Sequence, residues 1–567
     1  MTVVGFTELR TANFESWRES ARTWRTTAGK LAELENTFRT GVNDGVEAAG
    51  WKGRAAGTAD RDLEVTVRQI AISASQAQTI GMAAERAASE LPAIQALFHA
   101  AIQEAETSGL RIVENPAGYT VQAATPTGAA GDPTPADAAR QQSAVDGFVA
   151  RFDTLLRQAS EADAGFAATL TTLMPGDVAE TRLDAWHDSV EDTRRVAGLY
   201  GVGPVPDLDP TQTAAWWRGL SDEQRALYPA AYPRRLGGMD GLPAAVRDTA
   251  NRIALDQRLT ELAPALAGGT SPNHDRREWE NLTEIKRVLV AGHARPPGKE
   301  LILLKFGDKF LDGQVIMSVG DPDRAEHVSI SVPGTDATVI NGLAGGIKRI
   351  DAMQHAADTL TPGGSSNVAS VFWLDYDAPE KGVAGLSGSM VGWDRSQEGA
   401  PRLNSFVNGV RAQGRDRHIT MIAHSYGTAV VGDAARAGSG PGVDDVVSLG
   451  SPGMHVKRAQ DLHMDPKHVW AERALGTSKD TLVVEGGAYS HGADHKPGGR
   501  SLVDTILGEG NDPVTPTDEE FGANVMSGDA HAHDDYWNPG SESLVNQAKI
   551  VMGMYNDPNP LQHPRLE

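Results

Sequence analysis

From residue 300 onward, short apolar runs recur at 301–306, 315–319, 328–332, 371–373, 419–423, 446–449 and 469–471, separated by Gly/Pro/Asp turns and by stretches of helical periodicity. Apart from 328–332, the runs carry apolar residues at consecutive positions, so both faces of these strands are to be shielded from water. Strands inside a parallel sheet with helices on both sides meet that condition. Parallel neighbours need a crossover of a dozen residues or more, and several of the intervals are long enough to supply one. The stretch is about one α/β domain long.

Upstream the periodicity is helical. Leu31, Leu34 and Phe38 follow a one-face spacing, and Ile70, Ala74, Ala77 and Met82 form a second apolar stripe. Between them, Ala-Gly-Trp51-Lys-Gly53 reads as the turn of a helical hairpin, with Trp51 as its core plug. A chain of 567 residues is too long for one ordinary domain. The expected plan is a helical hairpin or bundle over 1–114, a Pro/Ala/Gly/Thr-rich linker over 115–140, a helical connecting region over 141–298 and a catalytic domain over 299–567. Within the connecting region, Gly238-Met-Asp240-Gly-Leu-Pro243 should start the helix that carries Arg247 and Arg252.

A net charge of −23 repels phosphate backbones and argues against nucleic acid as a partner. With 0 Cys there are no disulfides, thiolate metal sites or cysteine nucleophiles. The first residues lack a basic and then apolar leader, and no run reaches the roughly 18–20 apolar residues of a membrane span. The expectation is a cytoplasmic protein, or one exported without a cleavable signal peptide.

The segment Ile419-Thr-Met-Ile-Ala-His-Ser425-Tyr-Gly427-Thr reads as strand, sharp turn and helix. Its core, Ala423-His424-Ser425-Tyr426-Gly427, differs from the Gly-x-Ser-x-Gly nucleophile elbow at one residue. Small residues two before and two after the serine are needed where the strand reverses, and Ala423 is still small. On that context the expected fold is α/β: an α/β-hydrolase fold, a mostly parallel sheet with flanking helices, preceded by a helical N-terminal region. Ser425 is the candidate nucleophile, and the Tyr426 N–H is one oxyanion donor. A second donor is expected after an earlier strand, where Val332-Pro-Gly334-Thr335-Asp336 offers the backbone of Gly334, Thr335 or Asp336.

Chain order in this fold is serine, acid, histidine. His533 lies in a polar loop just before a C-terminal helix and is the candidate base, with His531 as its rival. For the acid, Asp480 follows the expected strand near 467–472, and Asp512 and Asp518 are alternatives. A different chemistry, a divalent metal held by His491, His495, His531 and His533, is the competing reading of the same histidines.

Taken together, several blocks resemble an actinobacterial α/β-hydrolase family. They are Trp216-Trp217-x-x-Leu220, Asp240-Gly-Leu-Pro243 with Arg247-Asp248 and Ala250-Asn251-Arg252, and Val332-Pro-Gly-Thr335. They continue through Trp373-x-x-Tyr376-Asp377-Ala-Pro379, His424-Ser-Tyr-Gly427, Leu449-Gly-Ser-Pro-Gly453, Phe521-Gly522 and His533-x-Asp-Tyr536 with Asn538-Pro-Gly-Ser-Glu542. The resemblance spans roughly residues 200–555 and implies the roles of Ser425 and His533. It supports Asp480 less directly, because the family has Gly-Asp-Pro where this chain has Ser-Lys-Asp480-Thr. Trp51-x-Gly53 resembles the Trp-x-Gly turn of helical type VII secretion substrates.

These readings converge on a serine hydrolase acting on ester bonds of a small-molecule or lipid substrate, with no cofactor. The rival is an interaction module. In it, residues 1–114 dock to a secretion system or helical partner and the hydrolase domain is vestigial.

Overall fold

The computed structural model describes residues 4–48, 54–115, 118–123, 134–173, 193–195, 197–198, 200–267, 272–292, 295–380, 393–414, 416–437, 440–474, 493–496 and 512–555. The chain divides into two compact units, Met1–Val202 and Gly203–Glu567. Among the described residues, no helix is long and apolar enough to cross a membrane.

The first unit consists of α1 (Phe6–Thr11), α2 (Glu15–Ala48), α3 (Arg54–Thr107), a hairpin of β1 (Leu110–Asn115) and β2 (Gly118–Ala123), and α4 (Pro135–Leu173). α2 and α3 run antiparallel: near the end of α3, Gln95 Nε2 donates to the carbonyls of Leu9 and Ala12 at 2.8 and 2.9 Å. Phe6, Phe98, Tyr119 and Phe152 pack edge to face at the centre, so α4 belongs to this core. The expected linker over 115–140 is therefore corrected. Part of it is strand β2, because Tyr119 and Val121 alternate toward the core, and part is the start of α4. The expected connecting region is divided at Val202. Leu34 is 47% exposed rather than buried. Trp51 and Gly53 lie outside the described residues.

The second unit opens with α5 (Pro210–Gly219), α6 (Asp222–Ala231), α7 (Pro233–Gly237), α8 (Ala244–Ala267) and α9 (Asn273–Ala291). There follow β3 (Leu301–Gly307), β4 (Gln314–Val319), β5 (His327–Val332), α10 (Val339–Leu360), β6 (Val368–Leu374), α11 (Asp394–Ala412) and β7 (His418–His424). The remaining elements are α12 (Gly427–Arg436), β8 (Asp445–Leu449), β9 (Val469–Glu472), a small pair β10 (Ala493–Lys496) and β11 (Asp512–Val514), β12 (Asn524–Val525) and α13 (Glu542–Val551). The main sheet has 8 strands in the order β12-β9-β8-β7-β5-β6-β4-β3, and only the pairings of β4 are antiparallel. Every expected strand is present.

Alternate residues of the central strands face opposite cores. Met421, Ala423 and Val446 join a cluster with Phe406 and Val430 of α11 and α12, while Ile422, Val447 and Trp470 join Leu544 and Ala548 of α13. The interior of β5 is not wholly apolar, but Ser329 Oγ donates to Ser370 Oγ of β6 at 2.9 Å, which satisfies both hydroxyls. At the far edge, β3 would present unpaired backbone groups. α8 covers them: Arg247 Nε, Asn251 Nδ2 and Arg252 Nη2 donate to the carbonyls of Leu304, Leu303 and Leu301, and Asp248 accepts from Leu303 N–H.

Candidate active site

β5 and β7 are neighbours in the sheet. After β5 the chain passes through α10 to β6 on one side, and after β7 it passes through α12 to β8 on the other. Such a reversal leaves a crevice at the carboxyl ends of the two strands, the usual place for a ligand in an open α/β sheet. The loop 333–336 and the turn at Ser425 stand at that crevice.

Ser425 has φ +52°, a left-handed conformation that a residue with a Cβ adopts only when its surroundings enforce it. The enforcing bonds are visible. Ser425 N–H donates to Leu449 O at 3.0 Å, and its carbonyl accepts from the Thr428 N–H and hydroxyl at 3.0 and 2.7 Å. Behind it α12 begins at Gly427, where a Cβ would lie 2.5 Å from Val332 O. The expected requirement for a small residue at this position is thus a close approach of elbow to strand.

The 333–336 loop lies over the elbow. A Cβ on Gly334 would come within 2.7 Å of Ser425 Cβ and 3.1 Å of Tyr426 N. Asp336, one of the expected oxyanion donors, is excluded: its N–H donates to Pro379 O at 2.9 Å. Among the described residues, the Thr335 N–H has no protein acceptor.

His533 lies between β12 and α13, partly buried, whereas His531 is exposed. A Cβ on Gly450, the residue after Leu449, would sit 3.0 Å from the His533 ring. The elbow reaches the same loop through His424, whose Nε2 donates to His533 O at 2.8 Å and whose ring lies 4.6 Å from that of His533. Trp537 and Tyr536 meet the His424 ring edge to face. Sequence reasoning treated His424 only as a spacer. The signal lay in a ring with a polar edge placed one residue before the serine.

The acid is the residue least determined by this geometry. Asp480 lies outside the described residues. The chain leading to it starts beside the loop of His533, since Ala474 N–H donates to the Tyr536 hydroxyl at 3.0 Å. Asp518 is committed elsewhere, accepting from the Thr515 N–H and hydroxyl at 2.7 and 2.9 Å. Asp512 opens β11, and only its backbone is described. Glu472, at the end of β9, is 3% exposed and accepts from the Ser543 hydroxyl. Burial, with Asp529 and Glu542 nearby, pushes its carboxyl up to about 8. It escaped the sequence reading because nothing in Val-Trp-Ala-Glu marks the glutamate as buried.

Of the four expected metal ligands, His491 and the side chain of His495 lie outside the described residues. Among the described residues, the grouping of metal-type ligands is His274, Asp275 and Glu278 on α9, which does not include His531 or His533.

A serine held in a left-handed turn between a central parallel strand and a helix, at the switch point of such a sheet, defines an α/β-hydrolase, and the chain belongs to that family. Residues 308–481 match the family described as alpha/beta hydrolase. The uncharacterized protein Rv0963c of Mycobacterium tuberculosis (strain ATCC 25618 / H37Rv) is 33% identical over 242 residues, 41% of this chain and 87% of that relative. The uncharacterized protein Rv2079 of the same strain is 26% identical over 382 residues, 62% of this chain and 56% of that relative. The match thus spans little more than half of the longer relative. Both are mycobacterial, in keeping with the expected actinobacterial family. No solved structure matches the chain.

Proposed function

We propose that this hydrolase cleaves carboxylic esters by acyl transfer, with Ser425 as nucleophile, His533 as general base and Asp480 as the acid that orients His533. Ser425 Oγ bonds to the ester carbonyl carbon as His533 takes its proton. The oxyanion is met by the N–H groups of Tyr426 and Thr335, while Gly334 contributes the absence of a side chain. His533 then returns the proton to the departing alcohol, and water, activated by the same imidazole, releases the acid. The substrate class is a small-molecule or lipid ester.

The observation that carries this reading is the +52° φ of Ser425 at the carboxyl end of β7. A turn serving only to connect β7 to α12 would relax with glycine there. The test is a fluorophosphonate probe together with hydrolysis of p-nitrophenyl acetate. The purified protein should be labelled and active, and Ser425→Ala should lose both, with at least about a thousandfold drop in rate and an unchanged melting curve. Ester hydrolysis that persists in Ser425→Ala would sink the serine mechanism. Complete inertness of the wild-type protein would favour the interaction-module reading.

A further inference from the structure

The block Trp373-x-x-Tyr376-Asp377-Ala-Pro379 has no part in the chemistry above, yet it grips the oxyanion loop at both ends. The fully buried Tyr376 donates its hydroxyl to Pro333 O at 2.6 Å, at the loop's start. Pro379 O accepts the Asp336 N–H at 2.9 Å, at its end. Between these two bonds lies Thr335.

Tyr376 also reaches the other half of the hole. Its ring is parallel to that of Tyr426, with centroids 6.4 Å apart and planes at 4°. Its opposite neighbour is Trp373, with centroids 6.1 Å apart and planes at 10°. Offset stacks of this kind fix ring position as well as burying area. Tyr426 is in turn hydrogen bonded to Ser396 of α11, whose hydroxyl is itself anchored on Asp433 Oδ2 at 2.7 Å. From the outside, Arg395 pairs with the Asp377 carboxylate and reaches the Asp377 carbonyl at 3.5 Å. Burial and the neighbouring Tyr426 push the Tyr376 phenol well above its ordinary range, so it remains a donor.

We infer that Tyr376 is a positioning residue for the oxyanion hole: its hydroxyl and the Pro379 carbonyl hold the 333–336 loop, and its ring fixes Tyr426, so that the Thr335 and Tyr426 amides keep one mutual geometry. This rests on the serine-hydrolase reading. A preorganised pair of donors needs no rearrangement when charge develops on the carbonyl oxygen, so losing the brace should weaken transition-state binding while leaving substrate binding alone.

The test compares wild type with Tyr376→Phe, which keeps the ring and its stack and removes one hydroxyl. Turnover of p-nitrophenyl acetate should fall about 10- to 100-fold with KM within about twofold. Affinity for a trifluoromethyl ketone, whose hemiketal oxyanion occupies the hole, should fall by the same factor as kcat/KM. The shape of the pH–rate profile should not change. Arg395→Ala, at a partly exposed position, should show the same pattern at about threefold, and it carries the test if Tyr376→Phe does not fold. Unchanged kcat, a loss confined to KM, or ketone affinity unchanged while kcat falls would each overturn the inference. A wild-type protein inert to both ester and fluorophosphonate would overturn the hydrolase mechanism, and the inference with it.

Discussion

Glu472 closes β9 with a carboxyl group whose Oε2 is buried and, among the described residues, has no hydrogen-bond partner. Its pKa in the folded protein is pushed from the ordinary 4.5 to about 8. The native state therefore holds a proton that the unfolded chain releases above pH 4.5. Stability should fall as pH rises from about 4.5 to about 8 and level off beyond. Glu472→Gln keeps the shape and cannot ionise, so it should remove that fall, a gain on the order of a few kcal/mol at pH 8 and close to nothing at pH 4.5. Denaturant titrations across this range check it. A mutant whose stability follows wild type in parallel would show that Glu472 does not titrate as described.

At the amino ends of the central strands a second polar group ties an element in place. Asp445, which opens β8, accepts from His418 Nε2 at 2.7 Å, His468 Nδ1 at 3.0 Å, Trp470 Nε1 at 2.9 Å and the Tyr555 hydroxyl. His418 Nδ1 faces the Val551 carbonyl at 2.8 Å, at the end of α13. His418 Nδ1 thus meets a carbonyl, and Nε2 meets the Asp445 carboxylate with the Tyr555 hydroxyl beside it at 2.9 Å, an arrangement that favours the doubly protonated ring. Burial is the largest influence and opposes the charge, but the hydrogen bonds to Asp445 and Val551 and the charges of Asp445 and Asp444 together outweigh it and raise the His418 pKa above 6.5. The stability this adds is fully present below 6.5, the unfolded value, and is lost as pH rises through the higher folded value. His418→Phe should lose about 1–3 kcal/mol at pH 6 and less at pH 9, with hydrogen exchange in α13 speeding up accordingly. A loss independent of pH would mean the ring is neutral. Such clusters show why strands were easier to read than their fastenings. β5, β6 and β7 announce themselves as short runs of mostly apolar, β-branched and aromatic residues bounded by turns. β12 has only Asn524 and Val525, and the β1–β2 hairpin hid beside Pro and Gly that read as linker. The serine was legible because an elbow is local in sequence. The acid was not, because any carboxylate past β9 satisfies chain order and only the folded loop selects one.

The division at Val202 sets where the chain can be cut. A fragment of residues 203–567 keeps the eight strands of the main sheet with α5 to α13, and should fold alone with a single cooperative transition. Under the proposed mechanism it should retain esterase turnover within a few fold. A cut at 140, the boundary the linker composition favoured, would leave Phe152 and Leu155 of α4 without the helices that bury them. That longer fragment should expose apolar surface and self-associate, which size-exclusion chromatography detects. If 203–567 is the piece that aggregates, the second unit depends on the first for its fold.

The left-handed turn at Ser425 also bears on how this chain would drift if its chemistry ceased to matter. A side chain held at φ +52° is under tension of about 1–3 kcal/mol, and glycine would release it without disturbing the bonds to Leu449 and Thr428. Under the proposed mechanism Ser425→Gly should therefore lose activity, and it should melt a few degrees higher than wild type. A lineage selected only for a stable scaffold would find that substitution uphill in nothing. Ser425 stands against the preference of its own backbone, as the nucleophile of the proposed mechanism would. If Ser425→Gly instead melts lower, the residue is there for packing, and the argument from strain falls.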